Sequence, residues 1–431
     1  MKKRMIFPCK AAVILLCGII IGFVLLLAVY ALPTAPMANH VLASVPAFNG
    51  EWAREESYET LVPGYRGTQL DNSTDAAMLL HAVYEGNESL VERVADGRVY
   101  SMNGNGFASL LTYGLNEGSS GMPSPSIARY WHGYLVFLKP LLCFLSYLDI
   151  RMLLTIVQGF MMAAVIAGLC RRKLGRYLPA FLLSLLCITP SAAGFSMQFS
   201  TVFCTFLLAM IALLYLPAKW FKGQNLGVFF LLIGMFTSYV DYLTYPLASF
   251  GMPFVLCVVL DPRQSAKEEW KRLLFCGICW VIGYLGMWAG KWVVAGAFGS
   301  DPWFWANLFA KIGERSSDVA ADTTLSYLTV LKENLSVFFK RAYLLAGAAA
   351  ACTWFAALLK GKKSGSAFGS PSFFTVLIAV ALTPFAWYFC TQNHSYIHAF
   401  FTSRNLAVTV FAICCLFTSI LPKNLYKSND L

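Results

Sequence analysis

Long apolar runs alternate with short polar stretches along most of the chain. Ten runs contain 17 residues or more, and a helix needs about 20 mainly apolar residues to cross a bilayer. The pattern therefore predicts an all-α fold, a polytopic transmembrane helical bundle of about ten spans plus juxtamembrane helices. The runs occupy residues 11–31, 151–170, 177–195, 199–217, 225–241, 244–260, 273–297, 341–359, 372–390 and 405–421.

The runs and the polar stretches divide the chain into five segments. The first run extends from Ala11 to Leu32 and exceeds the 7–15 residues of a signal-peptide core, so we expect an uncleaved anchor. The predicted segments are an N-terminal signal-anchor helix (1–32), an exofacial loop with amphipathic helices (33–126), juxtamembrane or re-entrant helices (127–149), a bundle of about nine spans (150–421) and a cytoplasmic tail (422–431).

Within the 33–126 loop, two stretches have the apolar spacing of a helix. These are residues 75–84 and 90–94, whereas 33–67 contains several prolines and 104–125 is rich in Gly, Ser and Asn. We therefore expect the loop to be irregular at both ends and helical in its middle.

The basic residues fix the predicted topology. Residues 127–149 are apolar but include Arg129, His132, Lys139 and Pro140, so their sequence alone does not decide whether they cross. If they do not cross, 19 of the 33 basic residues but only 4 of the 22 acidic ones face the cytoplasm. Basic residues favour the cytoplasmic side. We therefore expect a multi-pass protein of the cell membrane, with both termini inside and the first loop outside.

Composition supports a lipid environment and excludes a nucleic-acid partner. The chain is 58% hydrophobic and 13% charged, whereas a soluble domain has about 25% charged residues. The net charge of +11 comes from short basic clusters between apolar runs, a distribution typical of cytoplasmic loops. Most of the 13 cysteines lie inside the runs, so no disulfide framework is expected.

Three aspartates are candidates for acid–base chemistry. Asp71 and Asp75 lie at the start of the first loop helix. Ser73 or Thr74 could cap this helix, with Asp75 in its first turn. The alternative is that one of these aspartates takes a proton from a substrate hydroxyl. Asp241 lies between two predicted spans at the outer boundary. It is either a solvated loop residue or a functional acid, because acids at membrane depth are costly.

Several cations and aromatic residues are candidates for binding an anion. Arg129, Tyr130 and His132 fit either an interfacial aromatic belt or a phosphate site. Lys291 either snorkels to the interface or meets an anionic lipid head group.

The last outer loop adds His394, His398 and Arg404, which suit either a plain interface or a phosphate or sugar contact. The two histidines have the spacing of helical metal ligands, but no third ligand is evident and we expect no metal site.

This arrangement resembles the GT-C superfamily of membrane glycosyltransferases, which includes lipid A aminoarabinose transferases and protein O-mannosyltransferases. The resemblance covers about the first 220 residues. It rests on an early acidic helix at 74–82, a juxtamembrane segment with a lysine–proline pair at 130–151, and a basic turn at 171–176. Residues 194–201, with Gln198, then occupy the next outer turn.

The resemblance implies transfer of a sugar from a polyprenyl-phosphate donor to an exofacial acceptor: a cell-surface polysaccharide, a lipid or a protein. Asp75 would be the general base, with Asp71 as the second choice. The substrate-binding residues would be Arg129, Tyr130, His132, Gln198, Asp241, Lys291, His394, His398 and Arg404. No cofactor is expected beyond the lipid-linked sugar, which is a substrate.

Other functional classes stay open. An O-antigen-type polymerase or ligase would also act outside on a polyprenyl carrier, but its large loop comes late in the chain. A lipid or polysaccharide transporter typically has internal repeats and mid-membrane charges, and neither is evident here. A non-catalytic assembly subunit with the same fold is the remaining alternative.

Overall fold

The computed structural model describes residues 7–51, 60–102, 104–320, 323–363 and 372–421. Within these ranges the regular structure is almost entirely helical, with one pair of two-residue strands, β1 (Val319–Ala320) and β2 (Thr323–Thr324). The all-α prediction is confirmed. The predicted cytoplasmic tail and the N-terminal basic cluster lie outside the described residues.

The first six helices belong to the anchor, the first loop and the segment after it. They are α1 (Phe7–Tyr30), α2 (Ala35–Glu51), α3 (Asn72–Ala82), α4 (Leu90–Asp96), α5 (Gly106–Leu115) and α6 (Leu135–Leu142). Helices α3 and α4 confirm the two predicted loop helices.

The remaining helices form the bundle and its connections. They are α7 (Tyr147–Arg171), α8 (Leu178–Ile188), α9 (Pro190–Phe195), α10 (Met197–Tyr215), α11 (Gln224–Val240), α12 (Leu247–Leu260), α13 (Ala266–Phe298), α14 (Phe304–Ser316), α15 (Tyr327–Ser336), α16 (Arg341–Lys363), α17 (Phe374–Cys390), α18 (Gln392–Ile397), α19 (Ala399–Thr402) and α20 (Leu406–Ile420).

Six helical segments are long and apolar enough to cross a membrane: α1, α7, α10, α13, residues 341–360 of α16, and residues 399–420. Shorter apolar helices account for the other predicted runs. Run 177–195 is divided at Thr189, whose φ of +55° ends α8 just before Pro190. The chain therefore has the character of a membrane protein, and the count of ten spans stays a prediction.

Both ends of the first loop are more ordered than expected, so that prediction is wrong. Helix α2 passes through Pro46 and buries Met37, Val41 and Phe48. Helix α5 starts at Asn105, whose side chain accepts a hydrogen bond from the Ala108 N–H. Tertiary burial and capping here outweigh the proline and glycine content of the sequence.

The 127–149 segment contains one short helix instead of the predicted pair. Helix α6 has 8 residues, which corresponds to about 12 Å and is too short to cross a bilayer. The end of the segment already belongs to α7, which begins with a capping box between Ser146 and Asp149.

Helices α11 and α13 pack with their backbones in close approach. A Cβ atom added to Gly234 would lie 2.2 Å from the carbonyl oxygen of Trp280, and one added to Gly283 would lie 2.2 Å from that of Leu231. Each glycine thus admits the backbone of the other helix, a packing mode typical of helices in lipid.

Candidate functional site

Buried ionisable side chains collect at the end of the bundle that the first loop covers. We call this group the polar layer, and each of its members is at most 4% exposed. Its members come from the loop, from the connections 127–134 and 241–246, and from helix ends. They are Asp71, Asp75, His81, His132, Asp241, Lys291, His394 and Arg404.

Asp75 holds the beginning of α10. One of its carboxylate oxygens accepts hydrogen bonds from the Met197 N–H (2.8 Å) and the Tyr147 hydroxyl (2.8 Å), and the other accepts from the Gln198 N–H (3.1 Å) and the Ser196 hydroxyl (3.2 Å). An anion at a helix N-terminus satisfies N–H groups that the helix leaves unpaired. Burial raises the pKa of Asp75 to about 6, although the bond from Met197 opposes the shift.

Asp71 is the N-cap of α3, and its hydrogen bonds among the described residues come from Thr74: the Thr74 N–H donates at 3.1 Å and the Thr74 side chain also bonds to it. Asp71 is therefore the cap of this helix, and the prediction of Ser73 or Thr74 as the cap is wrong. Burial raises the pKa of Asp71 to about 7; the Thr74 bonds lower it and the nearby Asp75 raises it further. Of the two predicted bases, Asp71 has fewer protein partners.

Two predicted substrate cations bind backbone carbonyls. The guanidinium of Arg404 donates to the carbonyls of Ile188 (3.0 Å), Phe400 (2.9 Å) and Gly67 (3.1 Å). The ammonium of Lys291 donates to the last carbonyls of α4, those of Val94 and Ala95, both at 2.7 Å. Both residues thereby attach the first loop to the bundle.

A chain of hydrogen bonds crosses the polar layer. Its links measure 2.6, 3.0, 2.6, 2.8 and 2.9 Å. Its members, in order, are Tyr30, His81, Tyr134, Tyr242, His132 and the carbonyl of Ile127. We call it the tyrosine–histidine chain.

The terminal carbonyl determines the direction of every proton in this chain. A carbonyl only accepts, so the Nε2–H of His132 donates to Ile127, and the Nδ1 of the neutral ring then accepts from the Tyr242 hydroxyl. The Tyr242 hydroxyl therefore accepts from the Tyr134 hydroxyl, and Tyr134 accepts from the Nδ1–H of His81. The Nε2 of His81 then accepts from the Tyr30 hydroxyl. Burial lowers the pKa of His132 to about 3, which keeps its ring neutral at physiological pH.

Asp241 and His394 both fix the connection between α11 and α12. Asp241 accepts hydrogen bonds from the N–H and the hydroxyl of Thr244, and burial raises its pKa to about 6. The Nε2–H of His394 donates to the carbonyl of Leu243 at 2.8 Å. The ring of His398 lies 4.9 Å from that of His394, and burial lowers its pKa to about 4.

A shallow recess opens beside the polar layer. We call it the cationic recess. Its lining includes three basic and three aromatic side chains: Arg129, Lys311, Arg315, Tyr130, Trp288 and Trp292. The centre of the Tyr130 ring is 5.2 Å from the Arg129 guanidinium carbon and 5.5 Å from that of Arg315.

The structure brings some predicted site residues together and separates others. Arg129 and Tyr130 line the cationic recess, and His132 is joined to it through Tyr242, whose ring contacts Tyr130. Gln198 lies beside Asp75, and its buried Oε1 has no hydrogen-bond partner among the described residues.

Sequence reasoning missed Lys311 and Arg315 as members of the site. The available signal was the helical spacing of Lys311 and Arg315, which are four residues apart and continue the series of Phe304 and Leu308. This spacing places all four residues on one face of α14.

Comparison with known proteins gives no assignment, because no family model, curated protein or solved structure matches the chain.

Proposed function

We propose that this protein is a membrane glycosyltransferase that moves a sugar from a polyprenyl phosphate to an exofacial hydroxyl group. The observation that carries the proposal is Asp71, a carboxylate buried under the first loop, whose pKa of about 7 suits a base working near neutral pH. Asp71 takes this role in place of Asp75, because both oxygens of Asp75 are already engaged by α10.

The proposed step is a single displacement at the anomeric carbon. Asp71 accepts the proton of the acceptor hydroxyl as its oxygen forms a bond to the anomeric carbon. The bond from that carbon to the phosphate oxygen breaks, and its electron pair leaves with the polyprenyl phosphate. The leaving phosphate is an anion, so the step requires nearby cations. Lys291 and Arg404 donate to backbone carbonyls, whereas the side chain of Arg129 makes no hydrogen bond or ion pair among the described residues and is the candidate.

The test is sugar transfer by the purified full-length protein in proteoliposomes that contain radiolabelled polyprenyl-phosphate sugar and an extract of acceptors. Asp71→Asn and Asp71→Ser both keep an N-cap oxygen for Thr74 but lose the base, so we expect turnover to fall at least a hundredfold with a normal fold. Glu268→Gln removes an exposed carboxylate with no ion pair among the described residues and is the matched control.

Several outcomes would contradict the assignment. Loss of transfer in Asp75→Asn together with full transfer in Asp71→Asn would move the base to Asp75. Full activity in both single variants and in the double variant would rule out the carboxylate mechanism. Transport of the labelled donor without a new glycosidic bond would replace the transferase with a transporter.

A further inference from the structure

If helix α13 crosses the bilayer, the cationic recess lies at the depth where lipid phosphates reside. Helix α13 is a candidate span, and the stretch from Leu273 to Trp292 holds about 20 residues, enough to cross the hydrocarbon core. Trp288 and Trp292 therefore lie in its last turns before the interface, where tryptophan is favoured.

The exposure pattern of helix α14 also indicates that the recess lies near the membrane surface. Trp305 and Phe309 lie on one face and are 45% and 62% exposed, as expected for a helix that lies in the membrane surface. The neighbouring face, with Lys311, Ile312 and Arg315, lines the recess. A Cβ on Gly296 would lie 2.8 Å from the Trp305 ring, so α14 packs on the end of α13.

The recess holds positive charge and hydrogen-bond donors that the protein itself does not use. Arg129 and Arg315 have no ion pair among the described residues, while Lys311 pairs with Glu314 at 2.6 Å. The buried Arg129 Nε and Trp288 Nε1 have no hydrogen-bond partner in the same part of the chain. Unsatisfied buried donors cost free energy, and a side-chain rearrangement that widened the recess would bring both donors to a bound anion.

We propose that the cationic recess binds the phosphate group of a membrane lipid, with its acyl or prenyl chain along the exposed face of α13. Two guanidinium groups on one tyrosine ring suit phosphate, because arginine forms paired hydrogen bonds with its oxygens. The aromatic walls suit the carbon atoms next to the phosphate. This inference concerns lipid binding and does not depend on sugar transfer.

The test is native mass spectrometry of the full-length protein in detergent, titrated with phosphatidylglycerol and, separately, with phosphatidylcholine. We expect phosphatidylglycerol to bind more tightly, since phosphatidylcholine carries its own cation. Arg129→Gln combined with Arg315→Gln should weaken phosphatidylglycerol binding at least tenfold. Trp288→Phe, which keeps the ring but removes the Nε1–H donor, should weaken it by a smaller factor.

The control is Arg171→Gln combined with Arg263→Gln, which removes the same charge. Arg171 also lies over a tyrosine ring, that of Tyr215 at 5.5 Å, but outside the recess. Equal binding by the wild type and the recess variant, in a protein of unchanged thermal stability, would overturn the proposal. Displacement of the lipid by an equal concentration of inorganic phosphate would also overturn it, because the ligand would then be free phosphate.

Discussion

Tyr242 is the middle link of the tyrosine–histidine chain, and Tyr242→Phe is the sharpest test of that chain. The substitution removes one hydroxyl and no charge. That hydroxyl accepts from Tyr134 (2.6 Å) and donates to His132 Nδ1 (2.8 Å). We therefore expect two buried groups to lose their partners at once.

The loss of stability depends on how far the tyrosine–histidine chain can rearrange its hydrogen bonds. After the change, Tyr134 can donate to His81 if that ring switches tautomer, but the Tyr30 hydroxyl then loses its acceptor. No other member of the tyrosine–histidine chain can donate a hydrogen bond to the Nδ1 of His132. Each unsatisfied buried group costs about 1–3 kcal/mol, so with two such groups the free energy of unfolding should fall by roughly 2–6 kcal/mol.

The assay is reversible unfolding of the purified protein in mixed micelles, compared with Tyr396→Phe. Tyr396 is half-buried and has no side-chain hydrogen bond among the described residues, so its variant should change the free energy by less than about 0.5 kcal/mol. Nitrogen NMR should show wild-type His132 as the Nε2–H tautomer and His81 as the Nδ1–H tautomer. Equal stability of the two variants, or the opposite tautomers, would refute the chain.

Three further predictions concern other parts of the fold. Asp71→Asn should gain stability relative to the wild type as the pH rises from 4 to 8. The pKa of Asp71 in the folded protein, about 7, lies above the unfolded value of 3.8, so the wild type loses stability over that window. An identical pH profile of unfolding for the two proteins would contradict this prediction. Lys291→Met should leave two carbonyls of α4 unpaired and speed amide exchange of residues 90–97, and unchanged exchange there would exclude the capping role. Gly283→Leu should abolish folded protein in size-exclusion chromatography, whereas Gly347→Ala, with no atom within 4 Å, should be neutral or stabilising by up to about 1 kcal/mol.

The sequence was sufficient for the features that depend on composition and periodicity. The apolar runs predicted an all-helical membrane protein, because lipid leaves few other ways to satisfy the backbone. The spacing of apolar residues in 75–84 and 90–94 predicted α3 and α4, because helical periodicity is a local property of the sequence. The runs coincide with helices even where, as at Thr189, the backbone divides one of them.

Tertiary structure decided which charged residues are occupied and which are available. Asp75, Lys291 and Arg404 had the residue type and the position of substrate-binding groups, yet each bonds to the backbone of a distant helix end. These contacts join positions more than 100 residues apart, and no local pattern encodes them. Periodicity therefore predicts where helices form, whereas only their packing determines which of the charged residues are engaged by distant backbone groups.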